Sequence, residues 1–167
     1  LVCSKFKNGV RILDLVEVCR SMLYLEKGLT RQFYFKYDKD LTEHIAYEGG
    51  VVICLESVLK EEPTRLMNET LEPTIAWDIP KDKIEELALK DAEIGVWYRK
   101  LFEASLIESQ VKADTLRFEP AHERYNKLLQ LHPEILKRAP LVYIASLLQM
   151  TPETLSRVRS ASLSGDV

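Results

Sequence analysis

The apolar pattern of this chain changes period at Pro80, which limits the fold to one in which strands come first and helices follow. Up to Ile79, segments such as RILDLVEVC and SMLYLEKGLTRQFYFKYDKD alternate apolar and polar residues over short runs. Turn signals interrupt them at Asn8-Gly9, Lys27-Gly28, Asp38–Asp40 and Gly49-Gly50. VVICL, Val51–Leu55, is the most apolar run and has strand length, and TRLMNETLEPTIAWDIP supplies two more strands around Glu72-Pro73. No helix alternates with these strands as a parallel sheet requires, so the pattern predicts an antiparallel sandwich or roll.

Beyond Pro80, steps of three and four take over. PKDKIEEL has proline at a first turn followed by acidic residues, which suits a helix start. From Asp91 to Arg117 there is no proline and only one glycine, Gly95, so the spacing predicts one long helix. Its apolar positions, Ile94, Trp97, Tyr98, Leu101, Phe102, Leu106, Ile107 and Val111, form a stripe wider than a single neighbour needs. Either the helix is buried in a core, or one side covers the strands and the other meets a second subunit. On the second reading Ile94, Trp97, Leu101 and Phe102 are the expected dimer contacts. Phe118-Glu119-Pro120 closes this helix, AHERYNKLLQLH is another that Pro133 breaks, and Pro140 precedes a last helical segment. The chain is α+β, divided into a β-rich body (1–90), a long helix (91–118) and a small helical unit (119–167).

The 167 residues suit one sizeable domain, or a medium one plus a small one. No apolar run approaches the ~18 residues of a membrane span, so no membrane partner is expected. LVCSKFKNG does not read as a signal peptide, and the absent initiator methionine makes Leu1 an unnatural start. Cys3, Cys19 and Cys54 lack the spacing of a metal knuckle, and their odd number fits a reducing cytosol. Net charge is −3, but it is divided: residues 121–167 carry 6 Lys+Arg against 4 Asp+Glu, leaving 17 against 22 for residues 1–120. An acidic body with a mildly basic C-terminal end is an asymmetry worth noting, though it does not by itself identify a nucleic-acid binder.

That basic end contains APLVYIASLLQMTPETLSRVR, two short amphipathic helices too small to enclose a core alone. Leu141–Arg159 fits a helix-turn-helix pattern at all but one position, the alternative being an ordinary helical hairpin that finishes a core. Ala145 is the small residue where the helices cross, and Ile144, Leu148, Met150, Leu155 and Val158 lock the pair. Thr151 caps the second helix, Pro152 takes its first position, and Glu153 sits at the positive end of its dipole. Thr154 and Arg157 face outward with Ser160, flanked by Glu153 and Ser156, as a helix in a major groove requires. Gln149 stands where glycine usually takes a left-handed conformation, at a cost on the order of 1 kcal/mol. Lys137 and Arg138, just before the motif, are the expected phosphate contacts.

The segment ERYNKLLQLHPEILKRAPLVYIASLLQMTPETLSRVR resembles the C-terminal region of the Crp/Fnr family of bacterial transcription regulators, and within it the subgroup common in Bacteroidetes-type bacteria. YLEKGLTRQFYF is similar to a hairpin of the same subgroup. The resemblance implies a cyclic-nucleotide-binding-like β-roll (double-stranded β-helix), a long helix pairing in a parallel homodimer, and a winged helix-turn-helix on double-stranded DNA. Its recognition contacts fall at Thr151, Pro152, Glu153, Thr154 and Arg157, with Glu153 and Arg157 usually meeting base edges. Only SASLSGDV follows Arg159, so the wing is expected to be truncated or absent, as is the family's first N-terminal helix.

The family's phosphate cassette needs Gly-Glu followed by an arginine. Glu56 stands for the glutamate, but Thr64 takes the arginine position and Arg65 falls one place along. Glu56, Thr64 and Arg65 are the candidate effector pocket, and cyclic nucleotide binding is not expected. Cys3 and Cys19 cannot complete four thiolates for an iron–sulfur centre, and His44, His122 and His132 stand alone rather than as metal or haem ligands. No cofactor is expected. Enzyme readings fare no better: a metal-binding roll needs clustered histidines, His44 is alone in the body, and no catalytic fingerprint occurs. Two functions stay open: a dimeric DNA-binding regulator with an unidentified effector, and an effector-binding or protein-interaction module without DNA binding.

Overall fold

The computed structural model describes residues 1–164 and consists of two facing antiparallel sheets followed by helices. The strands are β1 (Val2–Phe6), β2 (Arg11–Leu13), β3 (Ser21–Lys27), β4 (Leu29–Lys36), β5 (Lys39–Tyr47), β6 (Val51–Val52), β7 (Met67–Thr70) and β8 (Thr74–Pro80). One sheet has the order β1-β8-β3-β6 and the other β2-β7-β4-β5. The helix α1 (Leu55–Lys60) interrupts the strands, and α2 (Lys81–Lys90), α3 (Ala92–Phe118), α4 (Ala121–Leu131), α5 (Pro133–Arg138), α6 (Leu141–Leu147) and α7 (Pro152–Ser164) follow.

The chain turns at the Asn8-Gly9, Lys27-Gly28 and Gly49-Gly50 signals, whereas Val16, Tyr37 and Asp38 take positive φ in turns without glycine. Gly28 links β3 to β4 at φ +112°, and a Cβ there would overlap the Thr74 backbone and side chain, so this hairpin requires glycine. VVICL differs from its expected strand: pairing ends at Val52, and Cys54 already precedes α1. An apolar run of that length does not distinguish strand from buried helix start.

Between the sheets Leu25, Ala46, Val52 and Ala76 form one buried cluster. A second cluster crosses from sheet to helices: Leu29 and Ile45 share it with Tyr125, Leu128, Ile135, Ile144, Ala145, Leu148 and Leu155. The helical unit is therefore fused to the roll through a common core rather than hung upon it. Polar contacts reinforce the seam. A bulge opposite Gln32/Phe33 displaces Glu43 from the ladder, and beside it the Thr42 N–H donates to Ser146 Oγ of α6 at 2.8 Å. At the same seam Arg31 is 2% exposed, with its guanidinium 3.5 Å from the Tyr143 ring of α6 and 4.0 Å from that of Phe33. It donates to Glu69 at 2.6 Å and to both Asp40 oxygens at 2.7 and 2.5 Å.

The long helix α3 starts at Asp91, whose carboxylate accepts from the N–H groups of Glu93 and Ile94, and ends before Pro120. None of its residues is buried. It is held by α2, where Gly95 approaches the Ala88 carbonyl, and by Lys112, which donates to the Glu43 carbonyl and carboxylate.

Replacing Arg31 by methionine keeps volume but strands two partly buried carboxylates. Arg31→Met is expected to lower unfolding free energy by about 3 kcal/mol, read as a fall in the urea midpoint at constant slope.

Candidate nucleic-acid interface

The pair α6–α7 is locked as its sequence requires. Ile144, Ala145, Leu148 and Leu155 are buried, and Met150 and Val158 pack against them. The turn closes through Gln149 N–H to the Ser146 carbonyl and Met150 N–H to the Ala145 carbonyl, both at 3.0 Å. Gln149 takes the left-handed conformation, φ +50°, and Arg124 donates to its carbonyl at 3.4 Å. Thr151 Oγ1 accepts from the Thr154 N–H at 3.2 Å, the expected cap.

This packing decides which face of α7 is presented. Leu155 is 1% exposed, whereas Pro152, Glu153, Ser156, Arg157 and Arg159 are exposed and Thr154 is half-buried beside them. Arg157 Nη2 donates to Thr154 Oγ1 at 3.3 Å, which lays the guanidinium along that face. The Glu153 carboxyl is held below its usual range first by its own backbone N–H and then by the Thr151 hydroxyl, keeping it an acceptor.

The two cations before the motif part company. Lys137 is exposed, with a surface pairing to Glu134 at 2.7 Å. Arg138 turns onto the roll and forms a bidentate pair with Glu48, at 2.7 and 2.9 Å, and a further bond to Glu72 at 2.5 Å. The phosphate contact expected of Arg138 does not fit this placement, because two carboxylates already occupy its guanidinium. It is a clamp between roll and helical unit.

The expected effector residues are not gathered either. Glu56 lies on the outer side of α1 with its side chain 80% exposed, paired with Lys60, and Arg65 is exposed. Only Thr64 turns inward, reaching Cys54. The early start of α1 is the reason: it puts Cys54, not Glu56, inside the roll. A cavity of about 230 Å³ lies there, lined by Cys19, Cys54, Gln32, Asn68 and Asp78 among others. Buried Asn68 Oδ1 has no hydrogen-bond donor among the described residues. Period-two alternation in TRQFYF could have turned Gln32 inward, but nothing local marks Cys19 or Cys54. A larger cavity, about 570 Å³, opens between β5, the end of α3 and the helical unit. Ile45, Leu128 and Leu131 line it, with His44, Lys112 and His132. His132 Nδ1 lies 3.1 Å from the Tyr47 hydroxyl, and His44 lies 3.8 Å from Glu108. Among the described residues no three His, Cys, Asp or Glu side chains are grouped to hold a metal.

On α3, Trp97 is 45% and Ile107 63% exposed, and Val111 and Phe118 are open too. Ile94, Leu101 and Phe102 are half-buried, Phe102 edge-on to Tyr98 at 4.7 Å between centroids. Of the four expected dimer contacts only Trp97 is freely presented. The open stripe instead runs Trp97, Ala104, Ile107, Val111, Phe118, four of these falling at steps of seven.

This arrangement matches solved structures over nearly the whole chain. FixK2 from Bradyrhizobium japonicum superposes with a TM-score of 0.80 at 20% identity, covering 99% of this chain and 87% of that one. A CooA variant from Carboxydothermus hydrogenoformans gives 0.76 at 15%, covering 98% and 77%. A protein of Eubacterium rectale assigned to the crp/fnr family of transcriptional regulators gives 0.71 at 15%, covering 98% and 79%. The fold is that of the Crp/Fnr regulators. At these identities the likeness is one of architecture, and no protein-family profile or curated protein matches the sequence. Within that fold, the outer face of α7 and the apolar stripe of α3 are exposed, and the smaller roll cavity gathers thiols and amides beside Arg20 and Asp78.

The Arg138 clamp carries a pH signature. Its hydrogen bonds hold the Glu48 carboxyl at about 2, against an ordinary 4.5. A depressed folded value adds stability above the unfolded value and loses it on acidification, here between about pH 4.5 and 2. Unfolding followed against pH should show wild-type stability falling more steeply through that window than that of Glu48→Gln.

Proposed function

We propose that this chain is a sequence-specific, double-stranded-DNA-binding transcription regulator that acts as a homodimer. The observation that carries the reading is the outward face of α7, where Glu153, Ser156 and Arg157 are exposed while Leu155 anchors the helix beneath. Arg157 suits the guanine edge and Glu153 the cytosine amino group in a major groove, with Thr151, Thr154 and Ser156 adjoining and Lys137 on phosphate. The division into a roll (1–90), a dimerisation helix (91–118) and a DNA-binding unit (119–167) belongs to the same proposal. Fold likeness to proteins described as transcriptional regulators supports it, as does the basic balance of residues 121–167. No described helix is long and apolar enough to cross a membrane.

The long helix supports the dimer. A helix of 27 residues with no buried side chain and an exposed apolar stripe at heptad spacing is covered only in part by α2 and the roll. Parallel pairing of two copies about a two-fold axis buries Trp97, Ile107, Val111 and Phe118 and sets two α7 helices on half-sites about one DNA turn, ~34 Å, apart. A second reading, an effector-binding module without DNA binding, is favoured by the 570 Å³ cavity, which lies within the usual size of small-molecule sites.

Arg157→Ala is expected to weaken binding to the selected operator by roughly 1–3 kcal/mol, with folding unchanged. Titrating operator and random duplexes at several salt concentrations checks this, and equal losses on both would refute base reading by Arg157. An absence of selection among genomic fragments at any salt would favour the second reading.

Ile107→Glu puts two carboxylates into the paired seam, where desolvation and repulsion both oppose association. Because Ile107 is exposed in the protomer, the variant should fold normally but sediment as a monomer at concentrations where wild type is dimeric. A dimeric Ile107→Glu protein would place the interface elsewhere.

A further inference from the structure

Cys19 and Cys54 are far apart in sequence but line the same roll cavity. Cys19 precedes β3, and its N–H donates to Ser57 Oγ at 2.9 Å, which ties that segment to the first turn of α1. Cys54 lies just ahead of α1 and is buried, with Gln32 Nε2 donating to its sulfur at 3.3 Å. Both residues line the cavity and shift each other's ionisation, and Cys19, whose thiol donates to the Ser21 carbonyl at 3.3 Å, is only half-buried, so a small oxidant reaches it through the cavity. Neither cysteine lies within a strand or helix, so closing a bond between them need not break a ladder.

We propose that Cys19 and Cys54 form an oxidation site at which a hydroperoxide closes an intramolecular disulfide across the roll interior. In the first step the Cys19 thiolate attacks one peroxide oxygen. The S–O bond forms, the O–O bond breaks, and the departing oxygen leaves as water or alcohol after taking a proton, so Cys19 becomes a sulfenic acid. In the second step the Cys54 sulfur attacks the Cys19 sulfur. The S–S bond forms, the S–O bond breaks, and hydroxide leaves as water with the Cys54 proton. Two thiols thereby give two electrons to one hydroperoxide.

The roles follow from the environment of each sulfur. The hydrogen bond from the Cys54 thiol, against an opposing effect of burial, lowers Cys19 to about 6, which makes it the attacking group. Donating that bond, together with burial, raises Cys54, which stays protonated until the sulfenic acid forms beside it. Cys3 is exposed on β1 and serves as an internal control.

The test uses the full, reduced chain treated with equimolar hydrogen peroxide, then denatured and alkylated with N-ethylmaleimide for intact-mass and peptide analysis. Two of the three thiols should be lost, with a Cys19–Cys54 cross-linked peptide, an alkylated Cys3, and recovery of all three on addition of dithiothreitol. Cys54→Ser should instead accumulate a sulfenic acid at Cys19 that dimedone traps, and Cys19→Ser should leave Cys54 unoxidised. Oxidation confined to Cys3, or a Cys19 sulfinic acid formed in the wild type while Cys54 remains a free thiol, would overturn the proposal. Neither readout involves DNA, so its failure leaves the regulator reading untouched, and the reverse.

Discussion

The Arg31 guanidinium is the contact on which the rest of the architecture depends. It is buried in β4, flanked by Phe33 and Tyr143 and neutralised by Asp40 and Glu69. A charge so placed is tolerable only when its donors are met, and each acceptor here comes from a neighbouring strand or turn of the same sheet. Because Tyr143 belongs to α6, the arrangement that satisfies the charge also seats the first helix of the helix-turn-helix on the sheet edge. Ser146 on Thr42 and Arg138 on Glu48 and Glu72 extend that seam.

Seating α6 on the roll has a consequence for α7. One side of the helical unit is committed to Leu29 and Ile45, so the recognition face is what remains, held open to solvent by Leu155 and Val158 underneath. The left-handed Gln149 belongs to the same geometry: the close crossing at Ala145 requires that turn, and packing offsets its modest backbone strain. The roll and the helical unit thus share one core, and α3 is the element whose apolar stripe stays exposed.

The roll interior shows how chemistry within one architecture depends on small displacements of register. Starting α1 right after Cys54 replaces a carboxylate with a thiol inside the cavity and sends Glu56 to solvent beside Lys60. The result is a pocket in which two thiols and two amides sit with Arg20 and Asp78, without the glutamate that would hold a ribose hydroxyl.

Much of this was legible in the chain itself. The period change at Pro80, the glycine turns, the long helix and the helix-turn-helix all rest on local rules: alternation, caps, and a small residue at a crossing. Those rules act within a few residues, so they survive without knowledge of the partner surfaces. Ala145, Thr151 and the strained Gln149 could be placed for that reason. The role of Arg138 could not, because its acceptors lie on distant strands, and sequence marks a cation without saying whether a carboxylate will face it. Nor could the stripe on α3 be divided correctly: Leu101 and Phe102 are as apolar as Ile107, and only the docking of α2 and the roll decides which of them stay open. The meeting of Cys19 with Cys54 is of the same kind, since it depends on how the segment before β3 folds over α1. Local periodicity determined the elements and the outward face of α7, while tertiary packing decided which charges were paired, which apolar residues remained bare and which thiols share a cavity.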